Sequence, residues 1–155
     1  MPSSLAGALS QGDGGTLPKK LRLRSHIASV GFLALVKAIG SVAVSTSALE
    51  ELDLGHTIDI ANDVDDFTFG MYPLFSVAKI KHLDLEGSHI GRHAGMSSSD
   101  VIIAHGGCLK MLKCQNNALE DEAMIHYLAS TLGEYKALKH LDLNLNYGGL
   151  SGGKA

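Results

Sequence analysis

One six-residue pattern, apolar at its first, fourth and sixth positions, recurs along the chain and constrains the fold more than any other feature. Residues 138–143, with the sequence LKHLDL, are the clearest copy. Counted at the last position of each copy, the steps are 31, 31, 29 and 29 residues. A fixed period of this size is typical of a solenoid, in which each unit must stack on its neighbours to bury its apolar face. The five copies are residues 18–23, 49–54, 80–85, 109–114 and 138–143.

The composition indicates a folded chain with no overall attraction to nucleic acid or to a membrane surface. The 155 residues are 45% hydrophobic and 19% charged, which argues against disorder. A formal net charge of −3 gives no overall attraction to nucleic acid or to an anionic membrane, and we expect neither as a partner. Cys108 and Cys114 form neither a disulfide framework nor a zinc-binding spacing. Cys114 takes a leucine position of its copy, so we expect it in the core.

One apolar run leaves a membrane alternative open. Residues 27–44 are nearly all apolar and follow a basic run at residues 19–24, an order found in signal anchors. The run only just reaches a spanning length, and Lys37 inside it would cost up to about 3 kcal/mol near the bilayer centre. We favour a buried helix of the repeat over an anchor. The sequence shows no signal peptide and no Asn-x-Ser/Thr acceptor, which favours a cytoplasmic location.

Helices are predicted between the copies. Apolar residues at helical spacing predict a helix over about residues 29–41. A shorter helix is expected at residues 101–104, and Asn117 followed three residues later by Glu120 reads as the capping box of another. We interpret residues 1–17 as a flexible leader or the remnant of a preceding repeat.

The last two copies resemble a known repeat family. Residues 112–123, LKCQNNALEDEA, and residues 141–146, LDLNLN, resemble the leucine-rich repeat, whose pattern is LxxLxLxxNxL. The 29-residue period is similar to the ribonuclease-inhibitor type found in NOD-like receptors and the Ran GTPase-activating protein. The resemblance implies an α/β horseshoe, with a parallel sheet on the concave side and helices on the convex side, that binds other proteins. We expect a leucine-rich repeat domain over residues 18–155, with about five units, the last incomplete, cut from a longer array.

The asparagine position of the pattern departs from the family in three copies. Asn117 and Asn146 match the consensus asparagine, which hydrogen-bonds the backbone across the turn, whereas His26, Thr57 and Ser88 stand at the other positions. Serine and threonine hydroxyls can supply part of that bonding. We therefore expect the first unit, with His26, to be the least regular.

The polar positions of the copies define three columns on the sheet. Side chains alternate across a strand, so residues between the leucines face away from the core. Equal positions in stacked copies then lie about 4.8 Å apart. The first column is Lys20, Glu51, His82, Met111 and His140, the central column is Arg22, Asp53, Asp84, Lys113 and Asp142, and the last column is Arg24, Gly55, Glu86, Gln115 and Asn144.

The columns predict a partner-binding face. Asp53 and Asp84 are neighbours in the central column and repel each other, a cost that Lys113 offsets only in part. A partner's arginine or lysine would offset the rest, so we predict another protein, with a basic patch, as the partner. The alternative that these are solvated strand residues of a duplicated unit stays open. The predicted binding residues are Glu51, Asp53, His82, Asp84, Glu86, Lys113, His140 and Asp142.

We expect no enzyme activity, no cofactor and no metal. Parallel columns do not converge on a tetrahedral point, and Gly91 argues against a helix that would place His89 and His93 on one face. The sequence contains no GxSxG or HExxH motif, and the glycine-rich residues 148–154 have the wrong spacing for a phosphate loop.

Two further functions stay open. The resemblance to the Ran activator suggests a regulator of a small GTPase, which would need an arginine at the nucleotide. Arg22, Arg24 and Arg92 are the arginines of the repeats. The other alternative is a truncated array without an independent function, which would aggregate through its uncapped ends.

Overall fold

The fold is built on one sheet of five short parallel strands. The computed structural model describes residues 18–24, 34–35, 37–38, 49–57, 79–89, 106–117, 119, 130, 133 and 136–146. Within these residues the strands lie in the order β1-β2-β3-β4-β5, and a 3-10 helix, Gly106–Cys108, precedes β4. The strands are β1 (Lys20–Arg22), β2 (Glu51–Asp53), β3 (His82–Asp84), β4 (Met111–Lys113) and β5 (His140–Asp142).

The register of the sheet follows the sequence pattern. The fourth position of every copy pairs with the same position in the next copy, beginning with Leu21 opposite Leu52. Every residue of the predicted first and central columns therefore lies beside its predicted neighbours, and this prediction is confirmed. The strands are parallel because about thirty residues separate them, long enough for the crossover that a parallel pair requires.

The leucines of the three inner strands form one apolar core. Leu52, Leu54, Leu83, Leu85 and Leu112 are at most 1% exposed. Burying a leucine fully stabilises the fold by about 1.5–3 kcal/mol, so this spine is a main source of stability. The leucines of β1 and β5 are only half-buried, because each end strand has a neighbour on one side only. The solenoid prediction is confirmed for the described residues.

The described part of the predicted helices is small. Residues 34, 35, 37 and 38 have helical backbone and fall inside the helix predicted over residues 29–41, with Leu35 buried and Lys37 exposed. Residues 130 and 133 are also helical. The predicted helix at residues 101–104, the position of the helices relative to the sheet, the leader at residues 1–17 and most of residues 27–44 lie outside the described residues. No helix within the described ranges is long and apolar enough to cross a membrane.

A left-handed residue ends each strand segment from the second copy onward. His56, Gly87, Asn116 and Leu145 have φ angles of 54, 58, 55 and 57°. Each stands directly before the asparagine position of its copy. A non-glycine residue in this conformation costs roughly 1–2 kcal/mol, least for asparagine. The recurrence shows that the turn, and not the residue type, is the constant feature.

The asparagine position links each copy to the one before it. In every described copy its side chain is inward and donates a hydrogen bond to the carbonyl of the last apolar residue in the preceding copy. The hydroxyls therefore supply the donor half of the bonding, as predicted, while His26 lies outside the described residues. The bonds run from Thr57 Oγ1 to Leu23, from Ser88 Oγ to Leu54 at 3.4 Å, from Asn117 Nδ2 to Leu85 at 2.8 Å and from Asn146 Nδ2 to Cys114 at 2.8 Å.

Only the two asparagines also supply the acceptor half. Asn117 Oδ1 accepts the N–H of Ser88 at 2.8 Å, and Asn146 Oδ1 accepts the N–H of Asn117 at 2.8 Å. The residue at the asparagine position of the copy after Thr57 is Ser88, and the N–H of Thr57 donates to the carbonyl of Leu54 at 3.0 Å. The junction between the second and third copies therefore lacks one hydrogen bond that the later junctions have.

Candidate functional site

The open face of the sheet, hereafter the strand face, holds a pocket of about 310 Å³ across β1 to β4. Leu52 and Leu83 are among its lining residues although they are only 1% exposed, and Met111 together with charged and polar side chains forms the rest of the lining. Five of the eight predicted binding residues line the pocket, and the other three (Glu86, His140 and Asp142) do not. The five are Glu51, Asp53, His82, Asp84 and Lys113.

Arg24 is the centre of the charge network on this face. It follows β1 by two residues, and its Nε lies 3.0 Å from both carboxylate oxygens of Asp53. Its Nη2 donates to Asp84 at 3.0 Å, and its Nη1 lies 3.5 Å from Glu86. One guanidinium thus contacts three carboxylates, one on β2, one on β3 and one just after β3. The hydrogen bond to Asp53 raises the pKa of Arg24 above its ordinary value.

The remaining basic residues of the face complete the neutralisation. Arg22 Nε lies 2.8 Å from Asp53 and Lys113 Nζ lies 3.6 Å from Asp84. Lys20 Nζ lies 2.7 Å from Glu51, and this hydrogen bond holds the pKa of the Glu51 carboxyl below its ordinary value. The chain's own cations therefore offset the repulsion for which the sequence suggested a partner's cation.

The contacts of Arg24 differ from the predicted columns for a simple physical reason. The predicted columns run straight along the stack, which puts Arg24 opposite Gly55 in the last column. Gly55 has no side chain to occupy the space, and an ideal Cβ there would approach the Arg24 guanidinium at 3.4 Å. The long arginine side chain crosses this gap to reach the acids of β2 and β3. The contacts of Arg24 are not predicted by the columns, because equal positions in neighbouring copies are paired there and Arg24 instead contacts acids at other positions.

The central-column aspartates also have a local structural role. Asp53 Oδ1 accepts the N–H of Gly55 at 3.1 Å, and Asp84 Oδ1 accepts the N–H of Glu86 at 3.0 Å. Asp142 makes the same bond to Asn144 at 3.0 Å. A carboxylate that accepts the N–H two residues later stabilises the turn after the strand. Aspartate therefore recurs at this position for a reason that is independent of any partner.

The first column has two charged residues, Lys20 and Glu51, and one apolar residue, Met111. His82 Nδ1 lies 3.4 Å from Glu51, and Met111 stands between His82 and His140. Met111 lines the pocket but was not among the predicted binding residues. Its position in the first column was the signal that could have identified it.

Among the described residues, no group of three histidine, cysteine or acidic side chains could hold a metal ion, and His93 lies outside the described ranges. Cys114 is buried as predicted, and burial raises the pKa of its thiol to about 12, so it stays protonated at neutral pH. Arg22 and Arg24 are both held in ion pairs, and Arg92 lies outside the described ranges.

Comparison with known proteins bears on the fold. No protein-family model and no curated protein sequence matches the chain. The chain is similar in structure to the C-terminal domain of tropomodulin from Caenorhabditis elegans, with a TM-score of 0.66 over 92% of this chain and 82% of that domain. The two sequences are 11% identical, so the likeness shows the fold alone. This likeness and the parallel five-stranded sheet show that the chain has an α/β repeat fold of the leucine-rich-repeat type.

Proposed function

We propose that the chain is a non-catalytic module that binds another protein through the strand face. The observation that carries the proposal is the pocket, because four strands contribute to its lining and it combines apolar surface with polar side chains. The strand faces of solenoids are extended recognition surfaces that a partner can contact over several repeats. The eight predicted residues and Met111 are the proposed contacts.

The ion pairs of the strand face change which side chains we expect to contribute most to partner binding. A partner's basic patch would have to displace Arg24, which already contacts Asp53, Asp84 and Glu86. Such an exchange of one cation for another gains little free energy. We therefore propose that the first column, with His82, Met111 and His140, supplies the central contacts, and that the paired charges surround them.

This arrangement predicts a weak dependence of binding on salt. Ions screen attraction between charges on two separate molecules, but they screen a contact between neutral groups much less. If the paired charges form only the rim, raising the salt concentration slows association by a small factor, and the affinity falls by no more than that factor.

Substitution at the centre of the face tests the proposal. Met111→Lys places a charge in the pocket, and Cys108→Lys makes a comparable change at an exposed residue that does not line it. Affinity capture followed by mass spectrometry should find proteins enriched by the unmodified chain and by Cys108→Lys, and lost with Met111→Lys. Calorimetric titration with each purified candidate then measures direct binding.

Two controls separate binding from folding. Both variants should keep the circular-dichroism spectrum and unfolding midpoint of the unmodified chain. A direct partner that binds folded Met111→Lys as tightly as the unmodified chain would rule out the pocket as the binding surface.

A further inference from the structure

The outer edge of β5 carries backbone groups that are paired in every earlier copy. In the first four copies, the N–H of the last apolar residue donates to the central-column carbonyl of the next strand at 2.8–2.9 Å. In the second, third and fourth copies, the N–H of the left-handed residue donates to the last-column carbonyl of the next copy at 2.7–3.0 Å. The corresponding N–H groups of Leu143 and Leu145 have no acceptor among the described residues. The carbonyl of Lys139 likewise has no donor there.

The outer edge of β1 carries the reciprocal set. In the other four strands, the first residue donates its N–H to the carbonyl of the residue before the preceding strand, as Glu51 does to Lys19 at 2.9 Å. The equivalent N–H of Lys20 has no acceptor among the described residues. The carbonyls of Arg22 and Arg24 stand at the central-column and last-column acceptor positions, and they have no donor there either.

The two edges match each other in side chains as well. In the repeat register, Leu21 of one molecule would lie beside Leu141 of another, and both are only half-buried. Arg22 would lie beside Asp142, which has no ion pair among the described residues. Within one molecule Arg22 lies beside Asp53 in the same register, with its Nε 2.8 Å from the carboxylate. Leu145, 75% exposed, is the large exposed hydrophobic residue of the described chain and belongs to this same edge.

We propose that the edge of β5 binds the edge of β1 of a second copy of this chain, in parallel and in the register of the repeat. Hydrogen bonds would run from Leu143 to Arg22 and from Leu145 to Arg24 of the second molecule, and from the second molecule's Lys20 to Lys139. Unpaired parallel edges are templates for such addition. The contact joins two different surfaces, so it leaves one edge free at each end and builds open chains of molecules. The strand face stays exposed, and this inference does not depend on the proposed function.

A charge-swap experiment tests the contact. Asp142→Lys and Arg22→Glu each put like charges at the junction, so each variant alone should self-associate at least about tenfold more weakly than the unmodified chain. When the two variants are mixed, lysine meets glutamate at one junction and aspartate meets arginine at the other, so association should return. Weight-average mass from analytical ultracentrifugation between about 1 μM and about 1 mM measures each case.

A matched variant controls for net charge. Lys110→Glu changes the net charge by the same amount as Arg22→Glu. Lys110 is exposed but lies inside the sheet, because its backbone is hydrogen-bonded to Lys81 on one side and to Lys139 on the other. This variant should self-associate like the unmodified chain. Equal loss of association in Lys110→Glu, or no recovery in the mixture of folded variants, would overturn the proposal.

Hydrogen exchange of the unmodified chain provides a test without substitutions. At high concentration, the amides of Leu143, Leu145 and Lys20 should become more protected, whereas the amide of Leu112 on β4 should not change. A chain that remains monomeric over the whole concentration range, or one that associates without protecting these amides, contradicts the proposed junction.

Discussion

Arg24 and Asp53 are 29 residues apart in the chain, yet the guanidinium Nε lies 3.0 Å from both oxygens of the carboxylate. The Asp53 side chain is 10% exposed, and the Arg24 side chain is 39% exposed. A nearly buried carboxylate without a cation would be costly. This pair therefore links the basic first copy to the acidic second copy and sets the electrostatics of the strand face.

Replacing Arg24 should destabilise the fold more than replacing Arg22. Arg24→Gln leaves Asp53, Asp84 and Glu86 without their common cation, and we expect a loss of about 1–2 kcal/mol in the free energy of unfolding. Arg22→Gln removes one contact of a side chain that is 60% exposed, and about 0.5 kcal/mol should be lost. Urea unfolding at pH 7 measures both.

Added salt should narrow the difference in unfolding free energy between Arg24→Gln and the unmodified chain, because ions screen the repulsion among the three carboxylates. Equal losses of unfolding free energy in Arg24→Gln and Arg22→Gln would show that Arg24 is not the central cation of the strand face.

Truncating Asn117 should be among the most damaging single changes. Its side chain accepts the N–H of Ser88 and donates to the carbonyl of Leu85, both at 2.8 Å, in a fully buried position. Asn117→Ala leaves both groups unpaired, at a cost of about 2–4 kcal/mol. Asn117→Ser should cost less, because Ser88 already makes the donor bond with a hydroxyl at the same position. Thermal unfolding of the two variants checks the order, and a serine variant no more stable than the alanine variant would contradict it.

Gly87 and His56 should be energetically coupled. Gly87 has a φ of 58°, and a Cβ at Gly87 would meet the His56 imidazole. Gly87→Ala should therefore lose roughly 1–2 kcal/mol from the left-handed backbone alone, plus the cost of moving the ring. In the background of His56→Gly the ring is absent, so the same substitution should cost less. A double-mutant cycle from denaturant unfolding measures this difference, and additive effects would show that the ring moves aside freely.

Cys114 should make stability fall at high pH. Burial raises the pKa of the thiol from 9.0 to about 12, so the unfolded chain loses this proton first as the pH rises. The stabilisation is complete below pH 9 and is lost between pH 9 and about 12, by up to about 1.4 kcal/mol per pH unit. The difference in unfolding free energy between the unmodified chain and Cys114→Leu isolates this effect.

The exposed Cys108 is the matched control for Cys114. Iodoacetamide at pH 8 should label the exposed Cys108 and not the buried Cys114 in the folded chain. Rapid labelling of Cys114 under native conditions would contradict its burial.

The repeat pattern by itself determined the sheet. Every leucine of LxxLxL that points inward must meet another apolar side chain, and a shift of one residue would turn the whole row outward. The period therefore predicted the register, the strand order and the buried position of Cys114, which all agree with the structure. It also placed Thr57 and Ser88 at the asparagine position, where their hydroxyls make the expected donor bonds.

Tertiary structure alone decided how the charges of the strand face are paired and which sheet edges carry backbone groups without a partner among the described residues. The reach of Arg24 across Gly55 depends on side-chain conformation and on empty space in the stack, which no spacing rule encodes. The left-handed turns occur at histidine, glycine, asparagine and leucine alike, so residue type did not reveal them. The reciprocal edges of β1 and β5 follow from backbone hydrogen bonding between distant segments, which exists only once the copies have stacked.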